Sequence, residues 1–301
     1  MTDYDALIDA ETWAFIRATE VHYAPDASSL SVAEQRAQYD ALCVAFDVDR
    51  PEGLHTQDDT ISGVPVRRYR PENAQGMVLF AHGGGFVLGG LESHDSICAE
   101  LSARSGCTVV AVDYRLAPEH RHPAPYEDVL SVAHTLIDSA QTLILVGDSA
   151  GATIVAAVTH ALRGRVAGQV LIYPYLGADM DAGSYVTHAN APLLTRADMA
   201  FFEGIRCDGP APEGDPSFAP LHDMNFAGLP KTVVFSAECD PLCDDGQVYC
   251  DRITVAGGEA HWVNEIGLVH GYLRARHSVA RARDSFSSIV DAVKKMTEFT
   301  N

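Results

Sequence analysis

Ser149 stands between two glycines in LVGDSAGAT, residues 145–153. A serine hydroxyl is a weak nucleophile until a base takes its proton and nearby donors hold the charge that develops on the substrate. The run before it, TLILV, is short, apolar and rich in β-branched residues, which predicts a buried parallel strand. The run after it, ATIVAAVTHAL, has helical spacing and length. A G-x-S-x-G at a strand-to-helix corner forces the serine outward. Gly147 and Gly151 are needed there because a Cβ at either position would strike the neighbouring strand or helix. The five-residue pattern alone fits a polar strand end equally well, so the reading depends on partners.

An activated serine needs a base, an acid to orient the base, and donors for an oxyanion. On a doubly wound hydrolase sheet these follow in the order Ser, acid, His. Three histidines follow a suitable acid. His261 falls inside a predicted strand and His277 inside a predicted helix. His270, in GLVHGY between Gly267 and Gly271, falls at a strand exit and is the candidate base. Asp240 follows the apolar strand TVVFSA, with Pro241 stopping its extension, and is the candidate acid. Asp244 and Asp245 fall in the next helix and read as partners of its N-terminal dipole. AHGGGF, 81–86, places three glycines after a strand, so backbone N–H groups can point into a cavity unobstructed. Ala150 adds an N–H at a helix N-terminus.

These residues need a scaffold. From residue 60 the chain alternates strands (64–71, 76–82, 108–114, 142–148, 167–174, 232–238, 260–266) with helices (93–105, 123–139, 150–163, 242–256, 275–298). That alternation implies an α/β fold with a mostly parallel sheet covered on both faces. Residues 5–20 and 31–46 read as two amphipathic helices split by APDASS. Residues 177–228 break the alternation with a Gly-, Pro-, Asp- and Ala-rich excursion carrying one helix near 195–206, at the end of the sheet where gating structure is placed.

Composition narrows the function. The chain has 301 residues, and 21 basic against 41 acidic residues give a net charge of −20. That charge disfavours nucleic acid and anionic membrane surfaces as partners. The basic run RARHSVARAR, 274–283, reads as a solvated helix face paired with the protein's own acids. Seven scattered cysteines argue against a disulfide framework. Cys239, Cys243 and Cys250 lack a second pair at matching spacing, so no metal site is expected, and HRH at 120–122 reads as loop. An acidic N-terminus without a signal pattern, and no apolar run of membrane length, place the expected compartment in the cytoplasm.

HGGGF, DYRLAPEHRHPAPYED at 113–128, GDSAG, SFAPL, GLP at 228–230, DPL at 240–242 and HG at 270–271 occur in the order seen in the hormone-sensitive lipase family. From about residue 60 onward the chain resembles that family of α/β-hydrolases, the bacterial esterases with a GDSAG elbow. The resemblance implies an α/β-hydrolase fold and a triad of Ser149, Asp240 and His270. It implies Gly84, Gly85 and Ala150 as oxyanion donors and His82 as a structural member of the HGGG loop. It also implies a helical cap built from residues 1–50 and part of 177–228 over a catalytic domain spanning 51–301.

The expected activity is cofactor-free hydrolysis of short- to medium-chain neutral esters through an acyl-enzyme. An amidase or thioesterase using the same triad, and a non-catalytic ligand-binding member, are the alternatives, and a homodimer is within expectation. Ala152 stands where the family usually has another glycine. HGYLRARH is more basic than the family pattern, which bears on the cap contact. Asp113 and Arg115 are expected to form a fixed ion pair holding the loops.

Overall fold

A computed structural model of the chain describes residues 2–23, 30–140 and 142–298. The break expected at 24–29 lies outside the described residues. The N-terminal part forms α1 (Tyr4–Leu7), α2 (Ala10–Glu20) and α3 (Val32–Ala45). A hairpin of β1 (His55–Ile61) and β2 (Val64–Arg70) follows, then β3 (Met77–Ala81), α4 (Asp95–Ser105), β4 (Thr108–Val112) and α5 (Ala124–Ser139). The elbow joins β5 (Leu143–Asp148) to α6 (Ala150–Ala161), and β6 (Gly168–Ile172) leads into the excursion with α7 (Gly183–Thr187) and α8 (Arg196–Arg206). The chain closes with β7 (Lys231–Cys239), α9 (Cys243–Val255), β8 (Ala260–Val269) and α10 (Ala280–Glu298).

The eight strands form one sheet in the order β1-β2-β4-β3-β5-β6-β7-β8. It is parallel from β4 to β8 and antiparallel where β2 pairs with β1 and β4. Alternation along each strand divides the core in two. Val78, Phe80, Ile144 and Val170 face α4 and α10, whereas Leu79, Leu145, Leu171 and Val234 face α5, α6 and α9. Both faces are buried, which is why these strands read as continuous apolar runs. No helix among the described residues is long and apolar enough to cross a membrane.

Three local expectations need correction, and one strand, β1, was not expected at all. Strand β1, HTQDDTI, carries no apolar face because it is an edge strand exposed over most of its length. It is held by the Ser62–Gly63 turn, where both residues have positive φ, and by pairing of Asp58 and Asp59 with Arg67 and Arg68. The helix expected over 5–20 is broken at Ile8, which is extended, because Asp9 caps α2 by accepting from Thr12 N–H. α10 begins at Ala280, so His277 lies in the turn before it. Arg115 pairs with Asp128 of α5 at 2.8 Å, and Asp113 forms no ion pair among the described residues.

The hairpin is fastened to the body by one buried carboxylate. Asp95, at the start of α4, accepts from Arg50, from Arg67 at 2.9 Å and from Tyr69 at 2.7 Å. Arg67 is itself buried and also reaches Asp58 and Glu92. Burial opposes the charged form of Asp95, but the donors outweigh it and hold the carboxyl below its ordinary value. Asp95→Asn takes from Arg50 and Arg67 the carboxylate they share, while Arg67 keeps Asp58 and Glu92 and Arg50 keeps solvent, and costs about 1–3 kcal/mol at neutral pH. A carboxyl with a depressed folded pKa stabilises fully above its unfolded pKa of about 4 and loses that contribution as pH falls through the folded value. Urea denaturation of wild type and variant therefore shows a gap at pH 7 that closes below pH about 4.

Candidate active site

The elbow is built by close approach. A Cβ on Gly147 would lie 2.6 Å from the Gly151 backbone, and one on Gly151 would lie 2.0 Å from the Ala81 carbonyl oxygen. Glycine at both sites lets α6 start directly against the ends of β5 and β3. Between them Ser149 adopts φ 51° and ψ −121°, a strained conformation for a serine, and its N–H donates to Ile172 O at 2.9 Å. Ala152 is fully buried in the core facing α5 and α6.

The strand exits bring His270 and Asp240, the candidate base and acid, to this corner. Ser149 Oγ lies 2.8 Å from His270 Nε2, and His270 Nδ1 lies 2.7 Å from Asp240 Oδ2. Asp240 is fully buried, and its second oxygen accepts from Leu242 N–H. Residues separated by 121 and 30 positions thus form one hydrogen-bonded chain. Asp244 instead accepts from Ser184 N–H. Asp245, drawn up to about 7 by burial, accepts from Leu176 and Gly177 N–H and holds the loop after β6. His261 stays in β8.

The glycine loop is fixed against the elbow by a carboxylate that the spacing argument passed over. Asp148, next to Ser149, accepts from Gly83 N–H at 2.8 Å and from Tyr173 O–H at 3.2 Å, and faces His94 Nε2 at 3.3 Å. Burial alone would raise its pKa, but His94, Arg274 and the Gly83 N–H bring it down to about 2. Its ionised form therefore holds the segment carrying Gly84 and Gly85. Both glycines have positive φ, and a Cβ on Gly84 would lie 2.2 Å from Leu88 O. His82 is neutral, lowered to about 3 by burial. It stacks on Tyr114 and stays in contact with Gly83 O, as a brace beneath the loop.

A cavity of about 400 Å³ opens over Ser149 and His270. Its walls come from α2 (Phe15, Thr19), α3 (Tyr39, Leu42) and α8 (Met199, Phe202) together with the glycine loop. The basic run expected to be a solvated helix face divides instead. Arg276 is buried against Glu100, Arg281 pairs with Asp9, and Arg274 lines the cavity. Arg274 donates to Ser93 O and to Tyr39 O–H, tying the loop after His270 to α3. Cys239, Cys243 and Cys250 are buried thiols, and His122 of HRH contacts Asp215 at 3.0 Å. Asp148, Tyr173 and Arg274 escaped the sequence reading because their relevance comes only from tertiary neighbours.

Asp148→Asn removes the charge that holds the Gly83 N–H while leaving Ser149, His270 and Asp240 in place. On a p-nitrophenyl ester kcat falls about 10–100-fold and KM changes by less than about twofold, the pattern expected if the glycine loop supplies the oxyanion donors. A change confined to KM in steady-state kinetics contradicts this placement of Asp148.

A family profile described as alpha/beta hydrolase fold matches residues 78–274. The ethyl acetate hydrolase of Pseudomonas putida is 32% identical over 291 residues, covering 89% of this chain and 91% of that protein. The carboxylesterase NlhH of Mycobacterium tuberculosis is 33% identical over 256 residues, covering 79% and 80%. Among solved structures, an ester hydrolase from the metagenome of Lake Arreo in complex with a bipyridine phosphonate derivative superimposes with a TM-score of 0.88. It is 30% identical, with 98% of this chain and 100% of that one covered. A Pyrobaculum calidifontis esterase superimposes with a TM-score of 0.86 at 29% identity, covering 96% and 99%. With its elbow, glycine loop and strand order, the chain belongs to the hormone-sensitive lipase family of α/β hydrolases.

Proposed function

We propose that this carboxylic ester hydrolase cleaves small neutral esters through an acyl-enzyme on Ser149. The observation that carries the reading is the hydrogen-bonded chain from Ser149 Oγ through His270 to Asp240, at 2.8 Å and 2.7 Å, on a strained elbow beneath a largely apolar cavity. Ser149 Oγ attacks the ester carbonyl carbon while His270 Nε2 accepts its proton. Asp240 accepts the His270 Nδ1–H, fixing the tautomer and stabilising the imidazolium. The N–H groups of Gly84, Gly85 and Ala150 hold the oxyanion. His270 returns the proton to the departing alkoxide. It then deprotonates a water that attacks the acyl-serine, and collapse of the second tetrahedral intermediate frees the acid and restores Ser149. Each proton is accounted for by His270, so the sequence needs no cofactor.

α2, α3 and residues 193–206 serve as the cap, since they wall the cavity opposite the sheet. Within 177–228 the cap role is confined to that stretch, because Leu221 and Phe226 pack back into the core beside α6 and α9. The net charge of −20 suits neutral substrates and disfavours nucleic acid and anionic membranes. Seven free cysteines, all buried, suit a reducing, cytoplasmic setting.

Ser149→Ala lowers kcat on p-nitrophenyl esters by about 10⁶-fold and Asp240→Asn by about 10⁴-fold. Asp244→Asn changes it only a few-fold, because that carboxylate serves Ser184. An Asp244 variant more impaired than the Asp240 variant overturns the assignment of the acid. Phe202 lies against the oxyanion loop, its ring 2.6 Å from where a Cβ on Gly85 would stand. Phe202→Ala enlarges the cavity there and moves the preferred acyl chain to greater length, read from a p-nitrophenyl ester series of increasing chain length.

A further inference from the structure

One buried cation of the cavity wall has no ion-pair partner among the described residues. Arg206 closes α8 and lines the cavity, with only 2% of its surface exposed. Its guanidinium lies between two aromatic rings, 3.8 Å from the Phe86 centroid and 3.9 Å from the Phe218 centroid. Those rings and the negative end of α8 favour the charge, but they cover only the two faces of the guanidinium plane. It forms no salt bridge among the described residues, and Nη1 is buried with no hydrogen-bond partner. Burial draws the group down to about 10, so it remains protonated at neutral pH. A protonated guanidinium whose edge donor is unmatched selects for an acceptor.

Nearby acids decide which acceptor. Glu203, one helical turn earlier, also lines the cavity, and its carboxylate accepts from Tyr175 O–H at 2.7 Å. Asp198 lies on the same wall, occupied by the Thr195 cap. A substrate carboxylate approaching Arg206 would meet both negative charges, whereas a neutral oxygen would not. Resting on the ester-hydrolase reading above, we propose that Arg206 is a specificity residue. Its guanidinium edge donates to a second, neutral carbonyl oxygen carried by the ester substrate, so the substrates are keto- or acyl-substituted esters rather than plain alkanoates.

The test compares p-nitrophenyl esters bearing an oxo group at carbon 4, 5 or 6 with plain alkanoates of the same length, each ratio corrected by that for hydroxide-catalysed hydrolysis. At one oxo position or more, wild-type kcat/KM exceeds that of the plain ester about tenfold, the scale of one hydrogen bond from a charged donor. Arg206→Met brings that ratio to about one. Arg206→Lys, which keeps the charge and loses the planar fork, retains part of it and serves alone if the Met variant does not fold. The mono-p-nitrophenyl ester of glutarate is turned over more slowly than the plain ester. Wild-type ratios at or below one for every oxo position overturn the proposal. So does a preference that survives in both variants, or a glutarate ester preferred over the keto esters. An Arg206 that only braces Phe86 lowers both members of each pair together and leaves their ratio unchanged, which also overturns it. Absence of hydrolysis of every ester by wild type refutes the ester-hydrolase reading itself, whereas good turnover of plain esters with no keto preference refutes only the role of Arg206.

Discussion

The contact between Gly151 and the Ala81 carbonyl is the closest approach on which the site is built, because it brings the first turn of α6 onto the end of β3. Any side chain at residue 151 would push helix and strand apart. Separation there would move Ser149 away from His270 and the Ala150 N–H away from the glycine loop. The strained φ of Ser149 costs about 1–3 kcal/mol and persists only where the surroundings over-determine it. Here the surroundings are α6, almost wholly buried between α5 and the sheet, and the hydrogen bond from Ser149 N–H to Ile172 O. The strain sits in the one residue that must stand clear of the backbone.

Around that contact, buried charges act as fasteners between segments distant in sequence. Asp148 joins the elbow to the glycine loop, Asp95 joins the hairpin to α4, and Glu100 takes Arg276 from the turn before α10. Each acid is met by several donors, the condition under which a buried carboxylate can stay ionised. Arg274 extends the arrangement outward by reaching Tyr39, so the loop that carries His270 and the helix that walls the cavity are mechanically linked. Arg206 is the exception, a buried cation with aromatic faces and an unmatched edge.

How much of this was legible in the sequence follows from which physical signals are local. The parallel strands and α5, α6 and α9 were readable because burial on both faces imposes long apolar runs and helical periodicity on them. Ser149, His270 and Asp240 were readable because each follows a strand, and chain order ranks the acids and histidines. β1 was missed because an exposed edge strand carries no apolar pattern, although Ser62–Gly63 marked its turn. The pairing of Arg115 with Asp128 rather than Asp113 depends on where α5 docks, which no spacing encodes. The same holds for Asp148. Its identity is visible inside GDSAG, but its role comes from a loop 65 residues away in sequence.

The central claim is that Ser149 alone becomes covalently bonded to the substrate's acyl group. The direct measurement uses a p-nitrophenyl phosphonate ester, whose attack by the nucleophile releases nitrophenolate and leaves a stable adduct, followed by mass spectrometry of the digested protein. One equivalent of nitrophenolate released per chain, a single adduct on the peptide containing Ser149 and complete loss of ester hydrolysis are the predicted results. An adduct on another residue, or full activity after stoichiometric labelling of Ser149, contradicts it.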